Sequence, residues 1–370
     1  MTPDSTPAGI VPAGVPAPIP VVPGQAVRGP TAVQMVSDFF RAREEGLWRG
    51  AAQIAALLPF AALVGAVIVL GFKAWPAVQV NGWGFLTKST WAPGSTYGST
   101  VVTHGVSHPM GSSYGAWPLI LGTMQTSVIA VVIALPVSVG AAFAITERLP
   151  APIARFLGFA VELLAGVPSV VFGLWGVLTL GPFLAHHVFP HIANVMPDVP
   201  VLNYFDAPTG HGQGLLTGGI VLAIMIIPII TATTRDLLRQ VPSLPKEGAH
   251  SLGMTEWEVA RRVTLPWVRS GIIGATVLGL GRAIGETIAI AMVTGSIIQV
   301  AHNIYSPMTT IAATIVSNLD SAQTDATGFA VSTLAEAALI LAVMSVAVNL
   351  VARMVINRTG RLGAPLGSGA

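Results

Sequence analysis

The amino-acid sequence predicts an all-α, polytopic membrane protein with six transmembrane helices. Of its 370 residues, 52% are hydrophobic and only 9% are charged, whereas soluble domains carry about 25% charged residues. Six segments are long and apolar enough to supply the roughly 20 residues that a helix needs to cross the bilayer core. A net charge of +2 and the absence of cysteine argue against nucleic-acid binding and exclude disulfides and thiolate metal sites.

The predicted transmembrane domain covers residues 51–356. We expect a kink or tilt in the second and third spans because they are long and contain Pro136 and Pro168. The six predicted spans are 51–72, 117–145, 156–184, 215–233, 271–300 and 331–356.

The segments outside the spans differ in composition. Residues 1–30 contain eight prolines, which predicts a disordered cytoplasmic extension. Residues 31–50 mix apolar and charged side chains and predict a short amphipathic helix at the membrane interface. No cleavable signal peptide is evident, so we expect the first span to direct insertion. Residues 357–370 are predicted to form a cytoplasmic tail.

Basic residues predict the orientation, because lysine and arginine are retained on the cytoplasmic side. One side has only Lys73 and Lys88, and Arg282 lies within a span. We therefore expect both termini to be cytoplasmic and the protein to lie in the plasma membrane. The fifteen basic residues of the cytoplasmic side are Arg28, Arg41, Arg43, Arg49, Arg148, Arg155, Arg235, Arg239, Lys246, Arg261, Arg262, Arg269, Arg353, Arg358 and Arg361.

The connection 73–117, predicted to be external, is long, glycine-rich and aromatic. Its tryptophans either anchor the chain at the membrane interface or contact an external partner, and the sequence leaves both readings open. These tryptophans are Trp75, Trp83, Trp91 and Trp117.

The polar connection 234–270 carries a spaced motif. Its segment EGAHSLGMTEWEVARRVTLP predicts two short helices joined by a turn at a glycine, with a Leu-Pro pair ending the second helix before the fifth span. The segment resembles the coupling loop of importer-type ABC transporter permeases, with a glycine in place of the first alanine of their Glu-Ala-Ala element. The matching residues are Glu247, Gly248, Ala249, Gly253, Val263, Leu265 and Pro266.

This resemblance implies that the loop docks on a separate ATPase subunit. A phosphate-binding loop needs a Gly-Lys pair, and the three lysines here follow Phe72, Thr87 and Pro245. The chain is therefore expected to be a transport subunit rather than an enzyme, with no cofactor or metal site of its own. ATP and magnesium would be bound by the ATPase partner.

The segment GLGRAIGETIAIAM places two charges inside the fifth span. Arg282 lies eleven residues after Gly271, about 16 Å along a helix and near the middle of a core about 30 Å thick. Each charge costs roughly 2.5 to 3.5 kcal/mol there. Glu286 follows four residues later and would share the same helix face. The two residues either form a structural ion pair, or Arg282 binds an anion with its planar guanidinium while Glu286 balances its charge.

A longer resemblance extends over roughly residues 45–358. The segments ELLAGVPSVVFGLWG, GLGRAIGETIAIAMVTG and NIYSPMTTIAATI are similar to the PstC family of permeases from bacterial phosphate ABC importers. The related PstA permeases are themselves similar, but the long outer loop favours PstC. The resemblance implies the type I ABC importer permease fold, inorganic phosphate as substrate, Arg282 and Glu286 in its path, and a set of partners. These are a PstA-like permease, two PstB-like ATPase subunits, a PstS-like phosphate-binding protein and membrane lipid.

Other hydroxyl and amide groups are candidates for the path. Ser169 follows Pro168 in the third span, and we favour a role in the path for it. The hydroxyls on the second span have an ordinary alternative, a hydrogen bond to the carbonyl one turn earlier, and we favour that alternative for them. The second-span candidates are Thr123, Gln125, Thr126 and Ser127.

Two alternative functions stay open. A permease for another oxyanion, such as sulfate or phosphonate, would keep every feature except the PstC-like segments. A proton-coupled secondary transporter would also place an arginine and a glutamate in the membrane. Such a transporter has no need of the coupling-loop spacing, and no inverted repeat is evident.

Overall fold

The computed structural model describes residues 32–95, 98–195 and 212–360. The predicted extension 1–30 and the end of the predicted tail, 361–370, lie outside the described residues. The chain divides into two units, Met1–Val64 and Gly65–Ala370. Within the described ranges, six helices are long and apolar enough to cross a membrane, which confirms the predicted number of spans. They are Gln53–Asn81, Trp117–Arg148, Ser169–Ile192, Leu215–Arg239, Glu256–Ile284 and Phe329–Asn357.

Helix α1 (Ala32–Asn81) begins in the first unit and ends in the second. It joins the predicted amphipathic segment 31–50 to the first span without a break. The position of that segment at the membrane interface stays a prediction. In the first unit the large apolar side chains of α1 are exposed, as expected for a surface in lipid. They include Ile54, Leu57, Leu58, Phe60 and Leu63.

The first connection of the second unit contains a short helix and four short strands, which the sequence did not predict. After α2 (Gly84–Thr87), β2 (Thr100–Thr103) and β3 (Val106–Pro109) form an antiparallel hairpin. Strands β1 (Trp91–Ala92) and β4 (Ser113–Tyr114) pair around its base. The ring of Trp91 meets that of Tyr114 edge-on, with centroids 4.9 Å apart.

The predicted third span, 156–184, is wrong in its first half. Helix α3 (Trp117–Phe143) extends through a π-helical turn, Ala144–Arg148. A separate helix, α4 (Ala151–Ala165), then ends before Pro168, because proline disfavours the helical conformation of the residue before it.

The third membrane helix starts anew after Pro168. Its parts are α5 (Ser169–Trp175), α6 (Gly181–Phe183) and α7 (Phe189–Val195). The π-helical turns Gly176–Leu180 and Leu184–Val188 connect them.

The predicted fifth span, 271–300, also needs correction. Helix α8 (Leu215–Arg239) leads to two short helices, α9 (Ser243–Ser251) and α10 (Glu256–Val259). Helix α11 (Leu265–Ile284) then stops sixteen residues before the predicted end at residue 300. The chain continues as α12 (Ile288–Val293), α13 (Ile311–Gln323) and α14 (Phe329–Gly360).

Helix α8 lies at the centre of the second unit and is the most buried of the six spans. Ser138 of α3 donates a hydrogen bond of 3.2 Å to the Ile227 carbonyl of α8. Small residues bring helices close together, as is common in membrane proteins: Gly279 of α11 packs on Ile226 and Ile230 of α8. The main buried cluster includes Ala130, Ala134, Val221, Leu222, Ile226, Ile230, Ala275, Ala283, Ala289, Ile290 and Val293.

Candidate functional site

Arg282 and Glu286 lie on either side of a helix break. Arg282 is in the last turn of α11, Gly285 caps that helix, and α12 begins at Ile288. The two residues therefore do not share a helix face, and no ion pair joins them. The expectation of a pair four residues apart on one helix is wrong because it assumed a continuous helix through Gly285.

Arg282 nevertheless lies near the middle of the membrane helices. Gly279 of α11 packs against Ile226 and Ile230 of α8. These two residues lie eleven and fifteen positions after Leu215, where α8 begins. Since α11 runs antiparallel to α8 and a helix rises 1.5 Å per residue, Arg282 lies about 15 Å from that end of α8. This is about half of a bilayer core.

The side chain of Arg282 is exposed on the surface of the chain, and that of Glu286 is half-buried. An exposed guanidinium at mid-membrane depth is expensive if it faces lipid. We conclude that this surface of the chain faces a polar cavity or another protein subunit. The arrangement offers a permanently charged donor of hydrogen bonds that forms no ion pair with any carboxylate of the described ranges.

Ser169 begins α5 at a comparable depth. Helices α5 and α12 run side by side in the same direction, with Gly173 against Ala289 and Gly176 against Val293. Ser169 lies one turn before Gly173 on α5. On the other segment, Gly285 and Glu286 lie about one turn before Ala289, at the break. The break before α5 and the break before α12 therefore meet at one level, and the structure brings Ser169 to the level of Glu286.

The hydroxyl groups on α3 are mostly engaged within the fold. Thr123 and Thr126 donate to carbonyls one turn earlier, those of Leu119 and Gly122, at 2.7 Å. Thr123 also accepts a hydrogen bond from the Ile311 amide of α13. Ser127 is buried and its hydroxyl has no partner among the described residues. The ordinary alternative therefore holds for both threonines, while Ser127 keeps an unused donor.

The motif residues Glu247, Gly248 and Ala249 lie on α9. This helix ends at Ser251, and Gly253 follows in the turn with a φ of +80°, a conformation that favours glycine. Helix α10 then starts with a capping box, in which Thr255 and Glu258 exchange hydrogen bonds. The predicted pair of short helices with a glycine turn is confirmed.

The expected end of the second short helix at Leu265-Pro266 is wrong. Helix α10 continues into α11 through the π-helical turn Ala260–Thr264, and Pro266 lies in the first turn of α11. The wider π-helical turn accommodates Pro266. This residue has no amide donor, and in a regular α-helix its ring would clash with the carbonyl four residues earlier. The last motif residues, Val263 to Pro266, therefore belong to a helix that continues directly into the membrane span.

Three large apolar side chains of this loop are exposed among polar and charged neighbours. Leu252, Leu244 and Trp257 are 81%, 77% and 62% exposed. Exposed large apolar side chains on a polar connection are typical of a contact surface for another protein. At the other side of α9, Lys246 forms an ion pair with Glu147 at the end of α3. This ion pair attaches α9 to a membrane helix.

Two polar contacts between helices were not predicted. Arg235 of α8 is buried and binds Glu162 of α4 at 2.6 Å, although the sequence placed Arg235 in the cytoplasmic connection. Asn81 at the end of α1 donates to Glu336 of α14 at 2.9 Å. Because their partners are 73 and 255 residues away in the chain, no local pattern could have predicted either contact.

The comparisons with known proteins agree with this architecture. The family described as "Binding-protein-dependent transport system inner membrane component" matches residues 134–361. The chain belongs to this family. The family description is that of an inner-membrane component of a transport system. The predicted fold class, an all-α polytopic membrane protein with six transmembrane helices, is confirmed by the spans and by this match.

Several curated relatives are named "Phosphate transport system permease protein PstC", in some cases with a number. The PstC 1 protein of Mycobacterium tuberculosis is 58% identical over 323 residues, which cover 87% of this chain and 95% of that protein. The PstC of Mesorhizobium japonicum is 39% identical over 314 residues, 85% of this chain and 90% of that protein. The PstC of Pasteurella multocida is 36% identical over 314 residues, with 85% and 92% covered. The resemblance to the PstC family is thereby confirmed.

Proposed function

We propose that this chain is the membrane-spanning permease subunit of an ATP-driven phosphate importer. The names of its relatives support phosphate as the substrate. The single observation that carries the proposal is the exposed guanidinium of Arg282 at mid-membrane depth. A planar fork of donors that never loses its charge suits a tetrahedral oxyanion.

In this proposal the anion passes the level where two helices are interrupted. Arg282 donates to the phosphate oxygens, and the Ser169 hydroxyl offers a further donor from the start of α5. Glu286 balances the charge of Arg282 when the anion is absent, without a direct contact in this conformation. The chain itself performs no chemistry on phosphate, so no catalytic residue is proposed.

The energy for transport would come from partner subunits. The helices α9 and α10, with the motif Glu247, Gly248, Ala249 and Gly253, would dock on one of two PstB-like ATPase subunits, which bind ATP and magnesium. Their movement would reach the path through two connections, the continuous helix from Val263 to Arg282 and the Lys246–Glu147 ion pair. A PstA-like permease would complete the path opposite the exposed Arg282.

The orientation follows from the same proposal. The coupling helices and both termini would lie in the cytoplasm, and the strands β1–β4 would lie outside, where a PstS-like protein delivers phosphate. The charge distribution supports this orientation, since the connection 294–328 contains no lysine or arginine.

The test is phosphate uptake by the purified complex in proteoliposomes. We expect uptake that requires ATP and the binding protein, is unaffected by collapse of the proton gradient, and is not competed by sulfate. Competition by sulfate or phosphonate would favour a permease for another oxyanion. Uptake that continues without ATP and stops when the proton gradient collapses would favour a secondary transporter and contradict the proposal.

A further inference from the structure

A cavity of about 140 Å³ lies between the strands of the first connection and the helices α13 and α14. It is remote from Arg282 and from the coupling helices. Its lining combines aromatic, polar and charged side chains. They include Trp91, Tyr114, Asn318, Ser321, Asp325 and Leu334.

No ion pair balances the charge of this cavity among the residues that the structure describes. Asp325 is only 8% exposed, and its carboxylate accepts hydrogen bonds from the Thr327 amide, the Thr327 hydroxyl and the Ala330 amide at 2.7 to 2.9 Å. All of these donors are neutral. Within the described ranges no cationic side chain lies within ion-pair distance of Asp325. A buried carboxylate is normally paired with a cation.

The ionisation of the cavity residues agrees with a retained negative charge. Burial by itself would raise the pKa of Asp325, but the hydrogen bonds from Ala330, Thr327 and Phe329 outweigh it and lower the pKa below its usual value. Burial, and then the charge of Asp325, raise the pKa of Tyr114 to about 12. The cavity therefore holds one carboxylate and one neutral phenol at neutral pH.

The size and walls of the cavity fit an organic cation. At roughly 30 Å³ per water molecule, 140 Å³ is room for about five waters, or for one guanidinium or ammonium group. The rings of Trp91 and Tyr114 stand edge to face, and aromatic faces attract such cations. Ser321 at the edge of the cavity is exposed, so the group can enter from outside the chain.

We infer that this cavity receives an arginine or lysine side chain of the external solute-binding protein. The inference rests on the proposed function and its orientation. A protein partner is favoured because the family depends on a binding protein. Charge complementarity favours it too, since the connection 294–328 carries Asp320 and Asp325 and no lysine or arginine. Arginine is enriched among the residues that anchor interfaces.

The absence of cysteine allows a direct test. In the assembled complex in lipid nanodiscs, the Ser321→Cys thiol is reacted with a cationic methanethiosulfonate, with and without the phosphate-loaded binding protein. Docking is expected to slow the reaction by about tenfold or more. Gln323→Cys is the matched control, since it is exposed on the same helix and does not line the cavity. Its reaction rate should change less than about twofold.

A second measurement uses the Ser321→Cys protein after its thiol has been modified. An aminoethyl adduct on Ser321→Cys places a cation in the cavity and should weaken docking by about tenfold, whereas a methyl adduct should leave it within about twofold. Equal reaction rates with and without the binding protein, in a complex that transports phosphate, would overturn the inference alone. Equal slowing by methylguanidinium without the protein would assign the cavity to a free cation and also overturn it. A wild-type complex that transports no phosphate would refute the proposed function and the inference with it.

Discussion

Arg235 on α8 and Glu162 on α4 are joined by an ion pair of 2.6 Å, with side chains 9% and 55% exposed. The guanidinium also packs against Gly158, where an added Cβ would lie 2.6 Å from Nη1. Helix α4 is thus attached to α8 about one turn before the break that precedes Ser169. This contact fixes the segment that leads into the proposed path.

The change Glu162→Gln should destabilise the complex. It leaves a buried guanidinium without its anion, and because the carboxylate is half exposed we expect a loss of about 1 to 2 kcal/mol rather than the larger cost of a fully buried pair. Thermal unfolding in detergent measures it. Asp236→Asn is the matched control, since Asp236 lies 3.6 Å from the same Arg235 and is 60% exposed. An equal effect of the two variants would contradict a special role for Glu162.

Gly173→Ala should disturb the contact between α5 and α12. A Cβ there would lie 2.9 Å from the Ala289 Cα, which is backbone and cannot turn away. We expect a stability loss of about 1 to 3 kcal/mol from overpacking, together with reduced phosphate uptake per assembled complex. Gly140→Ala, with no atom near the added Cβ, should be neutral or slightly stabilising. If Gly173→Ala keeps normal uptake, the α5–α12 contact does not position the path.

Gly253→Pro should uncouple transport from ATP hydrolysis. The Gly253 amide donates to the His250 carbonyl at 2.9 Å, and its φ is +80°, so proline loses the hydrogen bond and cannot adopt the conformation. A local cost of about 3 kcal/mol is expected. The measurement is ATP hydrolysis stimulated by the loaded binding protein. Gly140→Ala, which has open space on α3 outside the coupling helices, should retain full stimulation, and unchanged stimulation in Gly253→Pro would count against the coupling role.

Arg282 is tested by paired substitutions. Arg282→Lys keeps the charge but loses the planar fork and should reduce phosphate uptake severalfold, while Arg282→Gln should reduce it by about tenfold or more. Assembly should be normal in both, because no carboxylate in the described part of the chain forms an ion pair with Arg282. The double variant with Glu286→Gln should not regain uptake. Wild-type uptake by that double variant, normalised to assembled complex, would refute Arg282 as a phosphate contact.

The lowered pKa of Asp325 predicts that the protein loses stability in acid. Since its folded pKa is lowered, its stabilising contribution is complete above the usual pKa of about 3.8 and disappears as the pH falls through the folded value. The difference in free energy of unfolding between the wild type and Asp325→Asn should therefore shrink between about pH 5 and pH 2. Asp320→Asn removes the same charge from an exposed position, so a general charge effect would appear in both variants.

The sequence by itself determined the number of spans and the coupling helices. Six apolar segments suffice to show six membrane helices, because hydrocarbon requires every backbone group to be paired within the span. The Glu247 to Gly253 spacing is local, so it could be recognised directly in the sequence. The Thr255–Glu258 capping box is equally local, but we did not predict it. Glycine at position 253 has the positive φ that its place between two helices implied.

Only the tertiary structure decided where helices stop inside the membrane. The apolar character of residues 156–184 and 271–300 continues across Gly166–Pro168 and Gly285–Thr287, so hydropathy cannot locate those breaks. The break before α5 contains Pro168, which disfavours the helical conformation of the residue before it. The break at Gly285, which separates Arg282 from Glu286, lies where α12 packs on α5 through Ala289 and Gly173, a contact between residues far apart in the chain. The ion pair between Arg235 and Glu162 also joins residues far apart in the chain. The cavity lined by Asp325, Trp91 and Tyr114 does so too. The sequence around these residues therefore gives no signal of either feature.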